Sequence, residues 1–197
     1  MFRRPSLNRP GPRLGTFLGE LALIVVGVLL ALSVDEWRQA RARTVAGEQA
    51  VVAIRAEIVS NRELAIESRD YHLGRVGRIT ESFRSGDPLA RQDFPRGFIS
   101  PARFLSAAWE TARESGELGA VDRDLRREIA EAYKGQSRYE VQAENMSALI
   151  YRELYESAGR EGVGNPGGLM MLIGAFRYRE DELIVAFDET LAVIDAR

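Results

Sequence analysis

The sequence predicts an all-α fold: one N-terminal transmembrane helix that continues into a long helix, packed with three further helices as an antiparallel bundle. Three observations predict it. From Leu21 to Val34 there is no charged residue, and ten of those 14 positions are Leu, Ile or Val. Apolar residues recur at steps of three and four through most of the remaining chain. No segment sustains the apolar–polar alternation of a strand. The expected division is a basic tail over 1–13, a membrane helix over 14–34 and a helical bundle over 35–197.

The membrane helix follows from length and composition. Residues 14–34 make about 31 Å of helix, the thickness of a bilayer core. The Leu, Ile and Val side chains contribute about −3 to −6 kcal/mol toward insertion. Glu20 lies toward the N-terminal end, where a carboxylate reaches the head groups, and Trp37 stands where interfacial aromatics belong. The alternative is a cleaved signal: Ala31-Leu32-Ser33 is a small-x-small site, and Arg3-Arg4 is a weak twin-arginine pair. Against cleavage, Leu30 to Ala56 contains no Pro and Gly47 as its one Gly, so the helix runs through the site. A retained anchor is expected.

Charge sets the orientation. Residues 1–34 carry four arginines against Glu20, a net +3, and the rest of the chain sums to −5. The positive-inside rule puts the N-terminus in the cytoplasm and the bundle in the periplasm of a bacterial inner membrane. Arg38, Arg41 and Arg43 after the span weaken this bias, and Asp35 and Glu36 partly offset them. An acidic main domain argues against nucleic-acid binding. Gly15, Gly19 and Gly27 share one face of the span, and Gly15-x-x-x-Gly19 is a spacing that lets two membrane helices approach closely.

Beyond the span, Val51, Ile54 and Ile58, then Val76, Ile79 and Phe83, repeat at helical steps, with Asn61, Ala65 and His72 between them on the same face. Ser85-Gly86-Asp87-Pro88 ends this helix, and residues 85–100 read as a loop. Ser100-Pro101 is expected to open a second helix, with Ser as N-cap and Pro at the first position, running through Phe104, Leu105, Ala108 and Trp109 to Ser115-Gly116. Asp122 caps a third helix, whose stripe is Leu125, Ile129, Ala132, Tyr139, Ala143, Met146 and Ile150, with Gln136 interrupting and Gly135 a place for a kink. Asn165-Pro166 caps a fourth, with Leu169, Ile173, Phe176, Leu183, Phe187 and Ile194. Stripes near a 3.5-residue period suggest left-handed, small-angle packing.

Little in the sequence points to chemistry. There is no Cys and one His, which excludes a Cys/His zinc site, a disulfide framework and a thiol nucleophile. Ser68 lies one turn before His72, with Glu67 and Asp70 nearby, but one helix does not aim all three at a carbonyl, and His72 reads as a partly buried or surface residue. The run from Gly162 to Gly167 spells a dinucleotide fingerprint without the βαβ unit it needs, and reads as a helix–helix turn. The acids from Glu110 to Glu131 read as solvated faces, since a di-iron bundle wants Glu-x-x-His twice. No catalytic residue, cofactor or metal is expected. Asn61 and Gln136 fall where the stripes predict core. They read as polar residues fixing register or, with Trp109 and Tyr139, as the wall of a ligand pocket.

"GELALIVVGVLLALSVDEW", "AIRAEIVSNRELA" and "AWETARESGELGAVDRDLRREIAEAY" together resemble an uncharacterised bacterial family of single-pass membrane proteins, catalogued as a domain of unknown function. They cover about a third of the chain. The matching positions are Gly19, Glu20, Gly27, Trp37, Glu57, Asn61, Trp109, Ser115 and Gly116. Ser33 to Glu36 departs from the amide-rich pattern expected there. The resemblance implies this architecture and a retained anchor, and brings no activity with it. The function expected is a non-enzymatic interaction or scaffold module of the envelope, with a protein partner or a second copy. The alternative is a membrane-anchored sensor that binds a small ligand in its bundle.

Overall fold

The structure, a computed structural model, describes residues 14–156 and 166–197. It contains α1 (Leu14–Ser85), α2 (Ala107–Ser115), α3 (Arg123–Glu156) and α4 (Pro166–Asp195), with short 3-10 turns at Arg91–Asp93 and Glu117–Ala120. Among the described residues there is no strand. The chain divides into two units, before and after the Val45–Ala46 junction.

The first unit holds one helix long and apolar enough to cross a membrane, with a window of mean hydropathy 2.5 and none of it buried. Its Leu, Ile and Val side chains are exposed, from Leu21 to Val34. Ser33 gives its hydroxyl proton to the carbonyl of Leu29 at 2.8 Å, so this helix carries no unspent hydroxyl there. A Cβ added at Gly19 or Gly27 would meet nothing within 4 Å. Past the apolar run, Asp35, Gln39 and Arg43 link side chains at four-residue steps.

The second unit is the bundle. α1 and α4 are antiparallel: Arg55 pairs with Asp195, Arg62 with Asp188 and Arg69 with Asp181, each step of seven up one helix matched by seven down the other. α3 is antiparallel to α4, with Gly135 beside Leu183 and Tyr139 bonded to Glu180. The chain from Phe94 through α2 runs back along α1, so consecutive elements alternate in direction. Ile54, Ile58, Ile129, Phe176 and Phe187 fill the main core, and Ile79, Phe94, Leu169 and Ile173 close its far end. The expected stripes of α3 and α4 are buried, except that Ile194 is half-buried.

Three local expectations are corrected. The second helix starts at Ala107 and not at Ser100-Pro101. Residues 94–106 form a strap of largely non-helical backbone, and side chains of α1 and α3 bond backbone groups of its Arg96, Gly97, Ser100, Ala102 and Leu105. Phe83 is 59% exposed. It lies one turn past Ile79, where the packing of α1 on Leu169 ends. His72 is neither half-buried nor on the surface; it is fully buried. Other boundaries fall as read. α1 ends at Ser85, and Gly86 follows with φ +79°, a left-handed conformation in which glycine avoids the Cβ clash. Asp122 Oδ1 accepts the N–H groups of Asp124 and Leu125 and so caps α3. Pro166 opens α4. Its expected cap Asn165, with the run from Gly162, lies outside the described residues.

Two glycines carry packing information. At Gly47 a Cβ would lie 3.2 Å from both the Cβ of Ala120 and the carbonyl oxygen of Glu117, so α1 touches the 3-10 turn there without room for a side chain. At Gly135 a Cβ would meet Leu183 at 3.5 Å, an ordinary contact. Gly135→Ala should therefore gain helix propensity without a clash and stabilise the bundle by about 0.5–1 kcal/mol. Urea unfolding checks this, and a loss of stability would mean that the α3–α4 contact is tighter than 3.5 Å.

Candidate functional site

The bundle interior contains a line of buried polar side chains along α1: Glu57, Asn61, Ser68 and His72. They lie on the same face as Ile54, Ile58 and Ala65, so the helical period that buries the core buries them too. α3 supplies Tyr133, Gln136 and Tyr139, and α4 supplies Glu180. Each finds its partner on another element.

Three layers result. In the first, the Glu57 carboxylate accepts the Tyr133 hydroxyl at 2.6 Å and the backbone N–H groups of Ala108 and Trp109 at 2.8 and 3.3 Å. Those N–H groups open α2. Ser106 at its N-cap position makes no side-chain cap, so a carboxylate from α1 serves instead and meets the positive end of the helix dipole. The Trp109 ring stacks on Tyr133 at 5.1 Å. In the second layer, the Asn61 amide pairs with Leu105 in both directions. Its oxygen accepts Leu105 N–H at 2.8 Å, and its nitrogen donates to Leu105 C=O at 2.7 Å and to Gln136 Oε1 at 3.0 Å. Gln136 donates to the same carbonyl at 3.2 Å.

The third layer centres on Glu180. Its Oε1 receives the Ser68 hydroxyl at 2.5 Å and the Tyr139 hydroxyl at 2.8 Å, and His72 Nδ1 lies 3.0 Å from both carboxylate oxygens. Ser100 N–H donates to His72 Nε2 at 3.0 Å. Nε2 is thus an acceptor, which assigns the ring proton to Nδ1, facing Glu180. Ser68 Oγ also lies 2.8 Å from Ser100 C=O, so its one proton is shared between two acceptors. Tyr139 in turn accepts Ala102 N–H at 3.2 Å.

This arrangement groups Ser, His and Glu, but not in the order of a hydrolase. In a triad the serine hydroxyl faces the imidazole and the carboxylate orients the far ring nitrogen. Here Ser68 faces the carboxylate, the imidazole's accepting nitrogen is occupied by a backbone N–H, and all three residues are buried. Glu67 and Asp70, which the sequence places near His72, point to solvent. The cluster spends its polar atoms on holding the strap: Ser100, Ala102 and Leu105 are bonded through their backbone to α1 and α3 side chains. Among the described residues, Arg75 Nε is the only buried side-chain nitrogen or oxygen without a hydrogen bond.

The four candidates Asn61, Gln136, Trp109 and Tyr139 are therefore spread over the three layers. Asn61 and Gln136 touch each other, Tyr139 belongs to the Glu180 layer, and Trp109 to the Glu57 layer. Glu57 and Glu180 were missed as core residues, though the sequence carries the signal. Glu180 is four after Phe176 and three before Leu183, on the buried stripe of α4. Beside the strap an open groove of about 820 Å³ is lined by Phe104, Arg103, Glu140, Glu144 and Ser147. Burial pushes the Glu140 carboxyl above its usual range, while bonds from Gln136 and Phe104 N–H oppose the shift. No three His, Asp or Glu side chains gather as metal ligands among the described residues.

The tyrosines give a pH dependence. Burial first, then the Glu57 hydrogen bond, raises the Tyr133 hydroxyl well above its usual value of 10.0. Burial and the Glu180 charge do the same for Tyr139. A raised folded-state pKa means stability that is complete below the unfolded value and is lost as pH rises past it. The bundle should weaken above about pH 10, and Tyr133 and Tyr139 should stay un-ionised until it unfolds. Tyrosinate absorbance followed alongside circular dichroism checks this; full tyrosine ionisation in a still-folded bundle would contradict it.

Compared with known proteins, the chain matches no family model, no curated protein and no solved structure.

Proposed function

We propose that this chain is a single-pass protein of a bacterial inner membrane, with residues 14–34 in the bilayer, the N-terminus cytoplasmic, and the bundle acting in the periplasm as a non-enzymatic interaction or scaffold module. One observation carries the reading: the apolar run of α1 exposes every large side chain it has, and a bilayer is the solvent that such a surface fits. The four arginines before the span set the orientation. The resemblance to an uncharacterised family of anchored proteins points the same way. Absence of catalysis is part of the proposal, and its support is that the Ser68–His72–Glu180 cluster is committed to the strap. Contact through Gly15, Gly19 and Gly27 between two membrane helices belongs to the same reading. The acidic bundle supports a protein partner over a nucleic acid.

The groove beside the strap favours a second reading, a membrane-anchored sensor with a small ligand between Phe104 and Glu140.

Protease treatment of spheroplasts carrying the C-terminally tagged protein tests the topology. Loss of the bundle from a full-length, membrane-bound species is the expected result. A protected full-length species would place the bundle in the cytoplasm, and a shortened soluble species would mean a cleaved signal.

A further inference from the structure

The outer face of the α1–α4 pair carries a pattern that the core does not explain. The Arg55, Arg62 and Arg69 ladder to Asp195, Asp188 and Asp181 forms the seam between the two helices. Just outside it on α1, Val52, Val59, Ile66 and Leu73 recur every seven residues. Val52 is 68% exposed and Leu73 50%, while Val59 and Ile66 are half-buried. Outside it on α4, Met171, Tyr178 and Val185 recur every seven residues and are 80, 60 and 54% exposed. Seven residues are nearly two turns, so each set is a straight stripe. The α1–α4 register puts Leu73 level with Tyr178 and Ile66 level with Val185. α4 is thus apolar on two faces, and one of them is covered by α1 and α3.

Two parallel apolar stripes at heptad spacing form a seat for a third helix. Charge selects the occupant. The outermost charged positions beside the stripes are Glu63 and Asp70 on α1 and Glu182 and Glu189 on α4, all exposed. Asp70 pairs with Arg69 and Glu182 with Arg179, which also lies over the Tyr178 ring, so Glu63 and Glu189 are the acids left to meet a partner. The arginines of this face are already paired, Arg55, Arg62 and Arg69 in the ladder, Arg177 with Asp181 and Arg179 with Glu182. A second copy would set acid against acid, and so would an anionic lipid surface. We infer that this face docks an amphipathic helix of a partner protein, with apolar residues at heptad spacing and Lys or Arg along the flanks of its stripe. The inference rests on the interaction-module reading and gives its partner a chemistry.

The test uses the full-length protein in a non-ionic detergent and two synthetic model helices of about four heptads. Both carry the same leucine stripe; one is flanked by Lys, the other by Glu. The Lys-flanked helix should bind in the micromolar range and the Glu-flanked one at least about tenfold more weakly. Leu73→Ser with Val185→Ser should weaken the Lys-flanked helix about tenfold without changing the circular dichroism melt, because both residues are exposed. Glu63→Lys with Glu189→Lys should move the preference toward the Glu-flanked helix. Equal binding of both helices, binding that the serine variant leaves unchanged, or a sedimentation result showing this face filled by a second copy would overturn the inference. A photocrosslinker placed in living cells at Val185, and separately at Val141 on the exposed side of α3, separates the two levels. Crosslinks from Val141 alone would remove this face and leave the interaction-module reading standing. Crosslinks from neither would remove both.

Discussion

Glu180→Ala should destabilise the bundle by about 3–5 kcal/mol, the largest loss expected from any single substitution in the polar layers. The carboxylate is the shared acceptor for Ser68, Tyr139 and His72, and none of these has water to turn to. Its removal leaves buried donors unsatisfied at about 1–3 kcal/mol each, only partly relieved as Ser68 keeps the carbonyl of Ser100. Glu180→Gln should cost less, because it keeps one acceptor oxygen. It is not neutral, since an amide N–H would then face the Nδ1–H of His72. Urea unfolding ranks the three proteins. An alanine variant within about 1 kcal/mol of the natural chain would mean that water reaches the layer, against the zero exposure of Glu180 and His72.

Asn61→Ala comes second, at about 2–4 kcal/mol. Asn61 satisfies both backbone groups of Leu105 at once, as a neighbouring strand would, and alanine supplies neither donor nor acceptor. Gln136 retains one bond to the Leu105 carbonyl, so the N–H is the group left without a partner. This variant carries a signature that a general core defect lacks. Hydrogen exchange should rise selectively at the strap amides, Leu105 first, while amides of α3 and α4 stay protected. Uniform loss of protection would show that the strap is not held as a separate unit.

The contrast between α2 and the longer helices explains what the sequence revealed. α3 and α4 were legible because burial on one face repeats at the helical period, and local signals mark their ends: Asp122 before α3 and Pro166 opening α4. The same logic failed at Ser100-Pro101, a good helix start that the chain does not use. The reason lies far away in sequence. Non-helical backbone at Ser100, Ala102 and Leu105 is stabilised by His72, Tyr139 and Asn61, and no window around the strap contains that information. The Glu180 layer was hidden for a related reason. Ser68 and His72 were visible as neighbours on one helix, but their carboxylate comes from α4, 108 to 112 positions further along the chain. What could have been read was the interruption itself: an acid on the stripe between Phe176 and Leu183, where an apolar residue would otherwise stand.

The antiparallel pairing of α1 with α4 has a kinetic consequence. Its ladder joins residues 112 to 140 positions apart, whereas α3 and α4 are neighbours along the chain. Loop-closure entropy makes the long-range pairing costlier to initiate by about 2 kcal/mol than an α3–α4 hairpin. Assembly should therefore begin with α3 and α4 and end with α1, at a rate below that of bundles made from neighbouring hairpins. Until α3 and α4 have been synthesised, the apolar face of α1 around Ile54 and Ile58 lacks the partners that complete its core. A chain tethered early by its first helix would spend that interval held in place with its core face open.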